Sequence, residues 1–371
     1  MQIFVDATRP QALWRVWGMT LLERVLRQLA QEGVTRVAVQ APMGWRSSLR
    51  TDFPRGLELV DATAPPLTEE LVLRLDAATV FDRRVLAQLL AATGPTRLAG
   101  SEAAQVTGCV EVCPVVVDPA SLPSYLKKLR RYQPPYVWPI ETAADLRRVD
   151  REMFAVVYKG VTDVVTKYVY PGLVRVITRW LAPTRITPNQ VTAVSMVLSF
   201  GAIPVFLAGH LGLGVVMGLV MSVLDSVDGK LARLTLREST TGNWMDHGSD
   251  TVYFGAWLLA VGYVVVDGPA RWLLFAAWVL DRLIVAMFHV VRKRELNDWG
   301  PIDAAFRLVV IRRNIFLLVL GAGVVVGRPA AAVWTLAAWT VFGVAFHTAR
   351  ALWILVTGEP PRASRLHGEP S

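Results

Sequence analysis

The sequence has few residues of the kinds that build disulfide frameworks or histidine-ligated metal sites. Its 371 residues include 2 cysteines and 5 histidines. Cys109 and Cys113 match neither a Cys-x-x-Cys redox pair nor half of a zinc site, so we interpret them as buried thiols on a strand. No second histidine lies at ligand spacing from His247. These absences argue against a redox-active or zinc-binding protein.

The N-terminus lacks the pattern of a secretory signal. The first six residues contain neither a basic segment nor a long apolar one, so we expect the first domain to stay in the cytoplasm. The net charge is +9, but no nucleic-acid-binding motif accompanies it. In a membrane protein, such a charge is typical of a basic cytoplasmic rim facing anionic lipids. We therefore expect a lipid bilayer, and no nucleic acid, as partner.

The amino-acid composition combines features of membrane proteins and of soluble proteins. Hydrophobic residues make up 53% of the chain and the mean hydropathy is +0.39, which is high for a soluble enzyme. Charged residues make up 19%, which is high for a chain buried wholly in lipid. The two values together predict a soluble part joined to a membrane part.

Residues 1–150 alternate short apolar runs with amphipathic patterns. Ile3 to Val5 and Val34 to Val39 predict strands, and Leu21 to Gln31 predicts a helix between them. Further apolar runs continue the alternation. The pattern predicts an α/β domain in which helices cover a sheet.

The beginning of this domain resembles the sugar-phosphate nucleotidyltransferases. Residues 9–13, Arg-Pro-Gln-Ala-Leu, are similar to a segment that follows a Gly-rich phosphate loop in that family. Here the first strand leads directly to Arg9, so the loop is missing, and Gln11 stands where the family has a lysine. A phosphate site needs close backbone approach and a cation. We therefore expect an inactive nucleotidyltransferase-like domain, in which Asp76 either matches the family's metal ligand or is a turn residue.

Residues 151–188 are predicted to connect this domain to the membrane. Apolar residues recur at helical spacing among charged ones from Phe154 to Leu181, which is typical of an amphipathic helix lying at the membrane interface. Pro171-Gly172 is expected to break or bend that helix. Thr187 is predicted to cap the next helix, with Pro188 as its first residue.

Residues 189–355 predict an α-helical integral-membrane domain with six transmembrane helices. We place them at 189–208, 212–234, 243–266, 270–292, 312–327 and 330–354. Basic residues, including Lys230 and Arg237, concentrate on the side shared with the N-terminal domain, and we interpret these two as rim charges. The positive-inside rule then predicts that both termini are cytoplasmic. Residues 356–371 are predicted to be a disordered cytoplasmic tail.

Four carboxylates lie where one predicted membrane helix ends and the next begins. Asp225 and Asp228 share a face at a spacing of three residues, as Asp246 and Asp250 do at four. Two such faces turned toward each other make an oxygen cage for one or two hard divalent cations. The alternative is a set of polar residues that line a bundle or a transporter.

The residues around these acids resemble the CDP-alcohol phosphotransferase family, also called CDP-alcohol phosphatidyltransferases. The pattern Asp-x2-Asp-Gly-x2-Ala-Arg-x8-Gly-x3-Asp-x3-Asp over 225–250 is similar to the family signature at every fixed position. The helix entry formed by Pro188, Asn189 and Thr192 also fits. The resemblance implies transfer of a phosphoalcohol group from a CDP-linked donor to an acceptor hydroxyl, with release of CMP.

The resemblance and the chemistry together suggest a role for each signature residue. Paired metals neutralise phosphate charge, so Asp225, Asp228 and Asp246 are the predicted ligands of Mg²⁺ or Mn²⁺, as two ions. Asp250 is the candidate general base, a further metal ligand, or both. The predicted CDP-binding residues are Asp225, Asp228, Gly229, Ala232, Arg233 and Gly242.

The acceptor and the donor remain open at the level of sequence. Arg312 and Arg313 either anchor the chain at the lipid surface or bind a phosphorylated acceptor. The donor is either CDP-diacylglycerol or a CDP-linked polar alcohol such as CDP-inositol, which an active N-terminal domain would make in a bifunctional protein. A transporter or a scaffold is the non-enzymatic alternative. Membrane enzymes of this resemblance are often homodimers, and we expect one here.

Overall fold

The computed structural model describes residues 1–66, 70–107, 115–126, 129, 131–238, 240–310 and 312–362, with the side chains of 240–249 excepted. Several predictions fall outside this part of the chain. They concern the Cys109 and Cys113 thiols, the surroundings of Gly242, the side chains of Asp246 and His247, and most of the C-terminal tail.

The N-terminal region is built on a sheet covered by helices, as its alternating pattern predicts, and most of the strand pairs in this sheet are parallel. The strands are β1 Gln2–Asp6, β2 Arg15–Val16, β3 Met19–Thr20, β4 Arg36–Gln40, β5 Glu58–Asp61, β6 Val72–Asp76, β7 Thr79–Phe81, β8 Thr96–Leu98, β9 Ser101–Thr107, β10 Val115–Val117, β11 Tyr125–Leu126, β12 Arg131–Tyr132 and β13 Val137–Pro139. Seven of them form one sheet in the order β10-β8-β9-β6-β1-β4-β5. β1 pairs in parallel with β4 and β6, which brings Asp6 opposite Asp76 at the carboxyl ends of two strands.

Eleven α-helices lie in the described residues. They are α1 Leu21–Gln31, α2 Arg83–Leu90, α3 Ala143–Val156, α4 Tyr170–Leu181, α5 Pro188–Leu207, α6 Leu211–Leu234, α7 Thr240–Val265, α8 Leu273–Arg292, α9 Pro301–Val309, α10 Arg313–Val325 and α11 Pro329–Thr357. The first two cover the sheet, and buried leucines of α1 complete its core. Helices α5 to α11 form the second, all-helical region.

Four helices of the second region are long and apolar enough to cross a bilayer. They are Pro188–Leu207, Leu211–Leu234, Pro269–Arg292 and Pro329–Thr357. The predicted fifth span is too long: α10 has only 13 residues, and it makes a span only together with α9, from which it is bent by 40°. In the predicted third span, the described apolar part is Asp250–Val265. The described residues therefore support a multi-pass membrane protein with four to five candidate spans, and the six predicted ones are confirmed only in part.

The juxtamembrane segment is not one long amphipathic helix. α3 ends at Val156, a five-residue π-helix covers Val165–Val169, and α4 follows directly. The helical backbone continues through Pro171 and Gly172, so these residues do not end the helix, and the change from π- to α-helix lies directly before them.

The N-terminal region packs closely on the end of α6 that carries the acidic motif. The Arg24 guanidinium donates to the Leu234 carbonyl, and Gln31 donates to the Leu236 carbonyl at 3.1 Å. Gly18 has a φ of +80°, and a Cβ there would lie 2.3 Å from the Ala182 carbonyl oxygen. Only glycine permits this approach. The two regions also share a hydrophobic cluster, in which Trp17 and Val227 are both buried.

Candidate active site

The first helix of the membrane region places a hydroxyl group beside the acidic motif. Thr187 caps α5 as predicted: its side chain accepts from the Gln190 N–H at 3.3 Å, and Gln190 Oε1 accepts from the Thr187 N–H at 2.9 Å. Pro188 occupies the first turn, and Asn189 beside it is exposed. The capping box fixes where α5 begins. It therefore also fixes the position of Thr192 along the helix axis, one turn after the start of α5.

Asp225 and Asp228 lie on one face of α6, close to its C-terminal end. Asp228 is 5% exposed, and the Thr192 hydroxyl lies 2.6 Å from its Oδ2 and donates to it. A buried carboxylate is costly without such a donor. This hydrogen bond therefore stabilises the acidic motif against α5.

A glycine two helical turns before Asp225 lets α10 come close to α6. A Cβ at Gly218 would lie 2.6 Å from Leu317 Cδ2 and 3.1 Å from the Trp257 ring. Contacts this short are not seen for real side chains, so any larger residue would push α10 away. The close packing brings Arg313, the first residue of α10, to the acids of α6.

The Arg313 guanidinium bridges the two helices of the acidic motif. Its Nη2 donates to Asp225 Oδ2, and its Nη1 donates to Asp250 Oδ1 at 3.0 Å. The Tyr253 hydroxyl lies 2.5 Å from the same Asp250 oxygen and donates to it. Asp250 is the most open of these groups, with half of its side chain exposed, whereas Arg313 and Asp225 are mostly covered. Asp225 and Asp250 therefore face each other across the Arg313 guanidinium.

Asn314 connects four segments beneath this site. Its Nδ2 donates to Asp163 Oδ1 and to Thr166 Oγ1, each at 2.9 Å. Its Oδ1 accepts from the Ser222 hydroxyl at 2.5 Å and from the Tyr170 hydroxyl at 3.4 Å. All the hydrogen-bonding capacity of this 2% exposed amide is used. The site is thus tied to the juxtamembrane segment as well as to α6.

Electrostatics around Asp163 depend on the same amide. Burial by itself raises the pKa of the Asp163 carboxyl, but the hydrogen bonds from the Thr166 N–H, the Asn314 amide and the Thr166 hydroxyl, with the positive charge of Arg312, hold it below its ordinary value. Asp163 therefore carries a buried negative charge at neutral pH. Arg312 contributes to this balance and Arg313 contacts the acidic motif, so the two predicted acceptor residues have different surroundings.

The predicted nucleotide-facing residues follow the acids along α6. Gly229 is half-buried, and a Cβ there would lie 3.3 Å from Arg233 Nη2. The guanidinium of Arg233 thus lies along the helix over the glycine. Ala232 is half-buried as well. A small residue at 229 leaves room for this arginine to reach toward the acidic face.

Lys230 is not the rim charge that the sequence suggests. Its side chain is 5% exposed, its Nζ lies 3.9 Å from the centre of the Tyr158 ring, and it donates to the Ser226 carbonyl at 3.1 Å. The docked juxtamembrane segment covers it, which a one-dimensional pattern does not indicate. Arg237 pairs instead with Asp52 of the N-terminal region.

The carboxyl end of the parallel sheet carries acids that are already neutralised. Arg9 Nη1 lies 3.1 Å from Asp76 Oδ2, and Arg74 Nη2 lies 2.7 Å from Asp6 Oδ2. Burial tends to raise the pKa of Asp6, but the hydrogen bonds from Arg74 and Thr8 hold it below its ordinary value. Between β1 and the short helical turn at Pro10–Leu13 there are only three residues, which leaves no phosphate-binding loop there.

The donor set at the acidic motif fits a hard divalent cation. Its members are carboxylate oxygens from α6 and α7, the ligands that Mg²⁺ and Mn²⁺ prefer. Among the described side chains, no group of three acidic, histidine or cysteine residues is gathered at metal-binding distance, and the Asp246 side chain lies outside them. The predicted ligand set of Asp225, Asp228 and Asp246 therefore stays a prediction.

Two contacts at this site were not predicted from the sequence. Tyr253 lies one helical turn after Asp250, so its position on the same face could have indicated the hydrogen bond. Asn314 follows two arginines at the start of a predicted span, but its four partners come from three other segments. No local signal identifies those.

Comparison with known proteins relates the helical region to one family. The family model described as CDP-alcohol phosphatidyltransferase matches residues 185–349. A protein of Thermococcus kodakarensis, described as a bifunctional IPC transferase and DIPP synthase, is 26% identical over 155 residues, which are 42% of this chain and 35% of that protein. A protein of Rubrobacter xylanophilus with the same description is 27% identical over 197 residues, 52% of this chain and 43% of that protein. The chain thus matches less than half the length of these relatives.

A solved structure also aligns with the chain. It is a crystal structure of phosphatidylinositol phosphate synthase from Mycobacterium tuberculosis with CDP-DAG bound, with 19% identity and a TM-score of 0.36, over 50% of this chain and 93% of that one. The family match, by contrast, covers Thr192, the whole acidic motif and Arg313. Residues 185–349 of this chain therefore match the CDP-alcohol phosphatidyltransferase family model.

Proposed function

We propose that the chain is a membrane transferase that moves a phosphoalcohol group from a CDP-linked donor to an acceptor hydroxyl and releases CMP. One observation carries the proposal: within the matched domain, Asp225 and Asp250 come from two different helices and meet across the Arg313 guanidinium. Charged side chains at the ends of apolar helices are energetically costly, and they are usually found there because they serve a function.

Asp225, Asp228 and Asp246 would hold Mg²⁺ or Mn²⁺, as two ions, with Asp250 as a further ligand. When bound, these ions neutralise the diphosphate and the leaving CMP. The chain's own residues then have distinct tasks. Gly229, Ala232 and Gly242 leave space for the nucleotide beside the helices, and Arg233 supplies a fixed positive charge for the diphosphate.

Asp250 is the proposed general base. Its carboxylate is more exposed than that of Asp225, so an acceptor hydroxyl can reach it. The Tyr253 hydroxyl and Arg313 Nη1 both donate to Oδ1, which fixes the side chain and leaves Oδ2 to take the proton. This arrangement satisfies the need for a base within hydrogen-bonding reach of its substrate.

Arg312 and Arg313 are the proposed contacts of a phosphorylated acceptor. A guanidinium that binds two carboxylates can exchange one of them for a phosphate, because carboxylate and phosphate groups both offer pairs of anionic oxygens to its N–H groups. We further infer six spans, with α9 and α10 together forming the fifth, and place the acidic motif and the N-terminal domain on the cytoplasmic side. A homodimer is part of the proposal.

The relatives are described as bifunctional, and this raises a second candidate function. Residues 1–150 would then make the CDP-alcohol from CTP, with inositol phosphate as a substrate. The arginines paired with Asp6 and Asp76 and the short β1 connection favour a domain without this activity. Incubation with CTP and inositol phosphate decides between the two: release of pyrophosphate would establish the bifunctional reading.

The transferase proposal is tested by CMP release from purified full-length protein in lipid vesicles. CDP-diacylglycerol and CDP-inositol are offered with Mn²⁺ and a panel of acceptors, including inositol phosphate and glycerol phosphate. We expect acceptor-dependent CMP release that falls at least about 100-fold in Asp250→Asn, the usual scale for loss of a general base. Asp267→Asn is the matched control, because Asp267 is an exposed carboxylate at the other end of α7. Equal CMP release from both variants would refute the proposed base.

A further inference from the structure

Five arginines line a cavity outside the acidic motif. The cavity has a volume of about 290 Å³ and lies between β2, α3 and α4. Its charged lining consists of Arg15, Arg147, Asp150, Arg151, Arg175 and Arg179. We refer to it as the arginine cavity. No residue of it belongs to the site described above.

One aspartate pairs with two of these five arginines. Asp150 is buried, and its Oδ2 lies 3.1 Å from Arg175 Nη2 and 2.7 Å from Arg179 Nη2. Each of the two guanidinium groups also lies over an aromatic ring, Arg175 over Phe154 at 5.9 Å and Arg179 over Trp17 at 5.6 Å. These contacts hold two donors of α4 in place before any ligand arrives.

The other three arginines have no carboxylate partner among the described residues. Arg147 and Arg151 lie one turn apart on α3, on the face that also carries Asp150. Within the part of the chain that the structure describes, neither makes a hydrogen bond or an ion pair. Arg15 makes only a long contact of 3.4 Å to the Ser48 carbonyl. One carboxylate against five guanidinium groups leaves a strong attraction for an anion, and guanidinium groups match the oxygens of a phosphate in pairs.

The position of α4 indicates where the anion comes from. Leu173, Val176 and Trp180 recur at helical spacing and are exposed, with Trp180 at 74%. Arg175 and Arg179 lie on an adjacent face of the same helix. A helix with an apolar face beside basic residues lies in the membrane interface, with its cations at the depth of the lipid headgroups and its tryptophan at the acyl boundary.

We propose that the arginine cavity binds the phosphate of an anionic phospholipid headgroup, while the exposed apolar face of α4 contacts the acyl chains. A soluble phosphate ester could offer the same phosphate group to the cavity. Only a lipid would also contact the apolar face of α4 through its acyl chains. Bound lipid then holds α3 of the N-terminal region and α4 at the membrane surface together.

The test measures binding of short-chain phosphatidylglycerol to the full-length protein in neutral detergent, by native mass spectrometry. The variant is Arg147→Gln/Arg151→Gln, because neither side chain has a partner whose loss would disturb the fold. The control is Arg83→Gln/Arg148→Gln, which removes the same charge from residues paired with Glu32 and Asp145 outside the cavity. Phosphatidylcholine and glycerol 3-phosphate are measured in parallel.

We expect saturable phosphatidylglycerol binding that weakens at least about tenfold in Arg147→Gln/Arg151→Gln and less than about twofold in the control, the scale of one or two lost charge-assisted contacts. Phosphatidylcholine and glycerol 3-phosphate should bind more weakly than phosphatidylglycerol. Equal losses in both double variants would overturn the site, since they would reflect total charge alone. Binding of glycerol 3-phosphate as tight as that of the lipid would overturn the lipid as ligand.

Discussion

At the scale of single residues, Arg313 is the group on which the acidic motif depends. It neutralises Asp225 and Asp250, which otherwise repel each other across the gap between α6 and α7. The side chain is mostly covered, so solvent screens these interactions only in part. Removing the guanidinium leaves two acids that need another cation.

Arg313→Gln should therefore make the stability of the protein depend on divalent cations. We expect a loss of about 1–3 kcal/mol in the free energy of unfolding without metal, because Asp225 is mostly covered but Asp250 is half-exposed. Mn²⁺ should restore more stability to Arg313→Gln than to the wild type. Thermal unfolding with and without Mn²⁺ measures this, and Arg271→Gln, on the opposite side, is the control. Equal Mn²⁺ effects on all three proteins would contradict the prediction.

Thr192→Val removes the donor to buried Asp228 and keeps the shape of the side chain. The unsatisfied carboxylate should cost about 1–3 kcal/mol in the free energy of unfolding. Thr192→Ser keeps the hydroxyl group, so it should retain most of the stability. Thermal unfolding of the two variants provides the comparison. If Thr192→Ser is as destabilised as Thr192→Val, packing of the methyl group and not the hydrogen bond holds this position.

The sequence predicts the acids of this site better than their partners. Asp225, Asp228 and Asp250 follow from spacing along two helices, because helical periodicity is local. That Arg313 joins them depends on the close packing of α10 on α6 at Gly218, which is a property of the tertiary structure. The burial of Lys230 likewise depends on a segment some 70 residues earlier in the chain.

At the scale of elements, Asn314 fixes the junction of the π-helix, α4, α6 and α10. The ends of these elements could be predicted where caps occur, as at Thr187 and Pro188. That α9 joins α10 in one bent candidate span could not, because Arg312, Arg313 and Asn314 interrupt the apolar composition at the bend. The π-helix at Val165–Val169 also has no sequence signal of its own.

A charge exchange tests this junction. Asn314→Asp places a carboxylate against Asp163, where the wild type has an N–H donor at 2.9 Å, and should destabilise the protein by about 3 kcal/mol or more. Asp163→Asn/Asn314→Asp restores one donor and one acid, so it should recover at least half of the loss. Thermal unfolding of the two single variants and the double variant gives the coupling energy. Additive effects would show that the two residues do not interact.

The Asp163 carboxyl group should also make the stability of the protein depend on pH. The folded-state pKa of Asp163 is lowered, so its contribution to stability is complete above its unfolded pKa, about 3.9. It is lost as the pH falls through the lower folded value. Asp163→Asn should therefore lose stability at pH 7 and show a flatter decline below about pH 4. An unchanged acid limb in stability measurements from pH 2 to 7 would contradict this.

At the scale of the whole molecule, the N-terminal region docks on the membrane helices through an arginine cluster. Asp52 lies among Arg27, Arg50 and Arg237, and Arg50 donates to the carbonyls of Ala182 and Thr184. Burial tends to raise the pKa of Asp52, but these arginines hold it below its ordinary value. The negative charge of Asp52 therefore reduces the repulsion between these three arginines at the contact between the N-terminal region and the membrane helices.

Asp52→Asn should loosen the docked region without unfolding it. We expect faster hydrogen exchange at residues 234–238 and in the last turn of α1, and little change in the core of the sheet. Asp61→Asn is the control, because Asp61 pairs with Arg46 and Trp45 inside the N-terminal region. Exchange that changes equally in both variants would indicate a general loss of stability and not a local role for Asp52.

The alternation of strands and helices and the apolar runs were enough to predict both regions of the chain. They do not predict how the regions contact each other, because those contacts use backbone carbonyls such as those of Leu234 and Ala182, which every sequence has. The arginine cavity is likewise visible only once α3 and α4 lie side by side.

The central claim is that the acids of α6 and α7 support release of CMP from a CDP-linked alcohol. It is tested most directly by the amount of CMP that the purified protein forms in vesicles with Mn²⁺ or with excess EDTA. We predict many turnovers per chain with Mn²⁺, none with EDTA, and a loss of at least about 100-fold in Asp225→Asn. CMP release that persists in EDTA, or that is unchanged in Asp225→Asn, would contradict the account.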